Sequence, residues 1–225
     1  MGSYLNRQIL RIVWIVLLFI GYQAATAFLS TASSLAGTNP DLAAKYIGLT
    51  LIASALLLWL FHWLYQKQLA KNNPRHFGHT PLTSKRLWQF ILLFAIMFGI
   101  QLVWSQLIVH HILPSPSNQK LVDQGVMQLP LWNTIYDCIA APYFEETIFR
   151  GFFLNFFFSK NTLVSNVLGV FVSGLIFGYL HTLSFNWTLL LYASLGWLLS
   201  FSYLYFKDIR YNIALHMLNN ILGSI

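Results

Sequence analysis

Charge is what this sequence has least of. Lysine, arginine, aspartate and glutamate make up 8% of its 225 residues, and 57% are hydrophobic. Soluble domains carry about 25% charged residues, so a large water-soluble core is excluded. Cysteine is nearly absent: Cys138 stands alone, which rules out a disulfide framework and a cysteine metal cluster. Clustered basic residues are missing too. The net charge is +7, but the lysines and arginines lie in short gaps between apolar runs. That is the pattern of a topology signal rather than of a nucleic-acid-binding face.

What is present is a series of apolar runs. A membrane-spanning helix needs about 20 mostly apolar residues. Seven candidate spans meet or approach this, at residues 9–34, 43–66, 87–112, 130–158, 163–184, 187–206 and 210–225. The expected fold is all-α, a polytopic transmembrane helix bundle forming a single membrane-embedded domain over 1–225. The first run is too long for a signal-peptide core and reads as a retained span. The gaps 67–86 and 113–129 are the longest, and the second, with its "LPSPSNQ", reads as a turn region. With the 67–86 loop in the cytoplasm, ten basic residues fall inside (Arg7, Arg11, Lys67, Lys71, Arg75, Lys85, Arg86, Lys160, Lys207 and Arg210) against Lys45 and Lys120 outside. The expectation is a multi-pass protein of the cell membrane, N-terminus cytoplasmic, with the lipid bilayer as a partner and no nucleic acid.

Few ionisable groups remain at depth. They are Asp137, Glu145, Glu146, Arg150, His181 and His216, whereas His62, His110 and His111 sit nearer span ends. Intramembrane ionisable residues are functional candidates. Glu146 and Arg150 are spaced i, i+4 with the glutamate first, the favourable order for a helical ion pair. Glu145 lies about 100° further round the helix, with Phe149 and no cation at i+4. It is the less compensated carboxylate and a candidate general base. Pro142, one turn upstream, is expected to kink or open the helix. In the fifth span Phe177 and His181 are one turn apart, and Gly174 and Gly178 form a small face that admits a close neighbour. In the seventh, Asn212, His216 and Asn220 form one polar stripe. Singly, a Glu–Arg pair can lock two helices and a buried histidine can be a packing residue. Jointly, three spans supply the carboxylate, imidazole and amide groups of a hydrolytic site.

Three other intramembrane cutting designs are missing. No histidine is followed by glutamate, as a zinc HExxH needs; there is no G-x-S-x-G; and there is no Gly-x-Gly-Asp to pair with a second deep aspartate. Asp137 reads as a cavity or hydrogen-bonding residue outside the catalytic set.

The ordered motifs "EETIFR" (Glu145, Glu146, Arg150), "FGYLH" (Phe177, His181) and "HMLNN" (His216, Asn220) resemble the EExxxR, FxxxH and HxxxN motifs of the CAAX protease and bacteriocin-processing (CPBP, or Abi) membrane proteins. They cover roughly residues 140 to 220. The resemblance divides the chain into variable N-terminal spans, 1–128, and a catalytic core, 129–225. It implies an intramembrane endopeptidase of the kind that clips the last three residues from prenylated CAAX proteins, acting on a hydrophobic or lipidated peptide. In that scheme Glu145 activates water with His181 assisting, and His216 and Asn220 hold the oxyanion. Glu146 and Arg150 order the site, and Phe177 walls it. No cofactor is required, although members are often called metalloproteases, and Glu145, His181 and His216 are a donor set compatible with zinc. A glutamate base and a zinc-bound water stay open at this stage, as does oligomeric state. The alternatives are a bacteriocin self-immunity or regulatory role in the same family and, from another class, a small transporter or proton relay. One difficulty is geometric. Counted from the span starts at about 1.5 Å per residue, His181 lies about 27 Å along its helix and His216 only about 9 Å, so one of the two edges is expected to move.

Overall fold

A computed structural model describes the backbone of residues 2–224 and the side chains of 5–224; Met1 and Ile225, the ends of the expected domain and last span, lie outside them. Every regular element among the described residues is helical. Helix α1 (Gly2–Leu35) turns into α2 (Pro40–Lys71) through a short link. Asn39 caps α2, its side chain accepting from the Leu42 N–H, and Pro40 takes the first-turn position where its missing N–H costs nothing. Helix α3 (Ser84–Val109) follows a 12-residue connection, with Thr83 as its cap. Next come α8 (Leu163–Thr182) and α9 (Trp187–Phe206), packed as a hairpin, and α10 (Ile209–Gly223). Helices α1, α2, α3, α8 and α9 are long and apolar enough to cross a membrane. A broken helix over 130–157 and the shorter α10 bring the total to about seven spans.

Two expectations change. The 113–129 gap is not only a turn: it holds α4 (Ser117–Gln128), a polar helix with no buried residue. Pro142 does not open the fourth span either. The helix runs on through α5 (Pro130–Ile135), a π-helical segment π1 (Tyr136–Ala140), α6 (Ala141–Glu146), a second segment π2 (Thr147–Leu154) and α7 (Asn155–Phe157). The chain meets the missing proline donor by widening the turn before it, so that the Ala141 N–H reaches the Tyr136 carbonyl, five residues back.

The hairpin of α8 and α9 depends on the small face read from the sequence. A Cβ on Gly178 would stand 2.8 Å from the Ala193 nitrogen and the Leu189 oxygen, inside contact distance of backbone that cannot yield. At one end of the bundle the connection 72–83 is strapped to the α9–α10 turn. The Gly78 N–H donates to the Lys207 carbonyl at 2.9 Å, the Thr80 N–H to Asp208 Oδ2 at 2.8 Å, and Phe77 stacks on Tyr203 at 4.3 Å. Burial alone would push the Asp208 carboxyl up. The bonds from Arg210 and the Thr80 N–H outweigh it and hold it below its ordinary value. Arg11 donates to the Phe156 carbonyl at 2.7 Å and Arg75 to that of Lys160 at 2.8 Å. The basic residues thus gather at this end. The opposite end is formed by the last turns of α1, α3, α8 and α10, with α4 laid across it.

Candidate active site

Glu145 and Glu146 leave the same helix in different directions, as their spacing requires. Glu146 is fully buried. Its Oε1 accepts from Arg150 Nη1 and from His216 Nδ1, both at 2.8 Å, and its Oε2 accepts from the Asn212 amide. Arg150, also fully buried, donates further to the Gly196 carbonyl at 2.9 Å and to Ser200 at 3.3 Å. Its guanidinium lies 4.8 Å from the centre of the Phe177 ring. One carboxylate therefore ties α6, π2, α9 and α10 together. The pairing expected from i, i+4 spacing is there, and the polar stripe of α10 completes it.

Glu145 faces a cavity. Tyr22, on α1, donates its hydroxyl to Glu145 Oε1 at 2.8 Å. The other oxygen, Oε2, stands 3.7 Å from His181 Nε2 and 3.8 Å from His216 Nε2. Both ring orientations are fixed from behind. His181 Nδ1 lies 2.8 Å from the Phe177 carbonyl, which can only accept, so Nδ1 carries the proton. His216 Nδ1 faces the Glu146 carboxylate and is protonated for the same reason. In their neutral forms both histidines thus turn a bare Nε2 toward Glu145. Three acceptors converge across gaps too long for a direct hydrogen bond, the arrangement a water molecule or a mobile proton would satisfy. His181 is held between the rings of Phe177 and Tyr192, at 4.2 and 4.8 Å.

The depth difficulty resolves without moving either edge, since α8 begins at Leu163 and α10 at Ile209. The His181 ring folds back toward Phe177, a turn nearer the start of α8. The hydrogen bonds of Glu146 set His216 level with the glutamates. Rise along a helix gives depth only when helices start level and run parallel.

Asn220 is near but does not touch Glu145. Its amide donates to the Asp137 carbonyl at 2.8 Å, and the reason lies in the backbone. In an α-helix that carbonyl would take the Ala141 N–H, which π1 diverts to Tyr136; the residue after it is Pro142, which has no N–H. Asn220 supplies the missing donor and keeps its second amide hydrogen for the cavity that it lines.

Tyr22 is the site residue that sequence reading missed. A tyrosine inside an apolar span carries no charge to draw notice, and α1 lies outside the three motifs. Its hydroxyl fixes which carboxylate oxygen faces the histidines. Tyr22→Phe is expected to lower kcat for peptide cleavage about tenfold with KM unchanged, the size of one hydrogen bond to a charged group; steady-state kinetics in detergent micelles would check it, and an equal rise in KM would assign Tyr22 to substrate binding instead.

The donor types around Glu145 suit zinc, and each imidazole has the anchored second nitrogen that metal-bound histidines show. Among the described residues, however, no group of three or more histidine, cysteine, aspartate or glutamate side chains is arranged to hold a metal ion.

No curated protein and no solved structure matches the chain. Residues 127–222, which run from the end of α4 almost to the end of α10 and carry every motif residue from Glu145 to Asn220, match the family model described as type II CAAX prenyl endopeptidase Rce1-like; this part of the chain belongs to the family that its three motifs resemble.

Proposed function

We propose that the protein is an intramembrane endopeptidase in which Glu145 is the general base. The observation that carries this is the convergence of Glu145 Oε2 with the Nε2 atoms of His181 and His216, from three separate helices, on one cavity. A water held there gives a proton to Glu145 and attacks the peptide carbonyl. His181 orients that water. A proton passed to His216 turns its Nε2 into a donor which, with the second amide hydrogen of Asn220, faces the oxyanion. Glu146 and Arg150 keep His216 in place.

The substrate is a hydrophobic or lipidated peptide presented from the bilayer. A second cavity of about 530 Å³ lies between α1, α2 and the start of the broken helix, with Leu29, Ile47, Leu58, Trp132 and Tyr143 among its walls. Leu29 and Tyr136 line both cavities, so an apolar chain in the second has a path to the first. The protein sits in the cell membrane with its N-terminus and the 72–83 strap in the cytoplasm. The gathering of basic side chains at that end supports this orientation.

The test is cleavage of hydrophobic and prenylated peptides by the purified chain in nanodiscs, read by mass spectrometry. Cleavage that persists in EDTA or 1,10-phenanthroline is expected from a glutamate base. Loss with the chelator and return with zinc would move the assignment to a metal-bound water.

A further inference from the structure

The cavity at Glu145 is large, about 1190 Å³, and its charge is one-sided. Asp123, Asp137 and Glu145 line it, and none of its lining residues is a lysine or an arginine. The nearest guanidinium, Arg150, is fully buried behind Glu146 and committed to Glu146, Gly196 and Ser200. Lys120 of α4 is exposed and is not part of the wall. The imidazoles are occupied as well: His216 is bound to Glu146, and both Nε2 atoms face Glu145. The rest of the polar wall is neutral and rich in amides, among them Gln23, Gln101, Gln128 and Asn219. Such groups can pair with the N–H and C=O groups of an extended peptide while adding no charge.

This bears on which end of a peptide the cavity accepts. A chain advances at most about 3.3–3.6 Å per residue. A tail cut three residues from its end would bring its terminal carboxylate about 10 Å from the scissile bond, still within this acidic, amide-lined space. No cation there could compensate it, and an unpaired charge in a poorly solvated site is strongly disfavoured. Resting on the peptidase reading above, we propose that the cleaved peptide does not end in a free carboxylate inside the cavity. It continues past the scissile bond as a neutral or cationic chain, so that the enzyme cuts internal bonds instead of trimming a carboxylate-terminated tripeptide.

The experiment uses the full chain in nanodiscs and one hydrophobic peptide in four forms. Three residues past the scissile bond, the peptide ends in a free carboxylate, ends in a carboxamide, continues with neutral residues, or continues with lysine. At pH 7 the last three are expected to be cleaved with kcat/KM about tenfold or more above the free acid, the scale of a like-charge clash. Asp137→Asn and Asp123→Asn are expected to narrow that ratio. Equal or faster cleavage of the free acid overturns the proposal, as does a ratio that neither variant moves. The peptidase reading fails separately, if Glu145→Gln cleaves the series as well as the wild type. A wild-type protein that cuts none of the four overturns both.

Discussion

Glu145→Gln is expected to lower kcat/KM for peptide cleavage by about 10²–10⁴-fold, the usual contribution of a positioned general base, while the protein stays folded. Glutamine keeps the shape of the side chain, and its carbonyl oxygen can still accept from Tyr22. What it cannot do is take a proton from water. The variant therefore separates chemistry from packing, which Glu145→Ala would confuse by emptying the space beside Tyr22 and Phe144. The measurement is single-turnover cleavage, with thermal unfolding of the same preparation as the control for folding. Turnover within tenfold of the wild type, with unfolding unchanged, would show that another group activates the water. His181 would then be the first to consider, because its bare Nε2 points at the same gap. His181→Ala should be milder than Glu145→Gln if the histidine only orients the water.

The spans were legible because hydropathy is a property of composition, and a window of 20 residues averages over local detail. The ion pair of Glu146 and Arg150 was legible because helical spacing alone sets it. Other features needed the tertiary structure. Helix α4 hides in a Pro/Ser-rich gap, where a short polar helix has no apolar stripe to reveal it. Tyr22 touches Glu145 from 123 residues away in sequence, and nothing within α1 marks it. The partner of Asn220 follows from a π turn. The i, i+4 pattern assumes an α register and so cannot show that the Asp137 carbonyl has been set free. His216 looked like one member of a stripe facing Glu145. Its Nδ1 in fact belongs to Glu146, so a single ring bridges the reactive glutamate and the structural one.

That bridge makes Glu146 the position where loss of stability and loss of activity should coincide. Glu146→Ala removes the acceptor for three donors at once, Arg150, Asn212 and His216. Arg150 would be left charged, wholly buried and with only neutral partners. Breaking a buried pair from one side costs about 3–5 kcal/mol, a large share of the roughly 5–15 kcal/mol that separates a typical folded protein from its unfolded state. Denaturant or thermal unfolding in detergent should register that loss. Cleavage should fall as well, because the His216 ring would lose the anchor that turns its Nε2 toward Glu145. The double variant Glu146→Leu, Arg150→Met tells the two effects apart. Replacing both charges by apolar side chains of similar volume removes the unpaired guanidinium, and such replacements are often neutral for stability. The double variant should therefore recover most of the stability and none of the activity. If it recovers both, Glu146 only holds helices together and the orientation of His216 is set elsewhere. If it recovers neither, the bonds from Arg150 to Gly196 and Ser200 matter more to the fold than its charge.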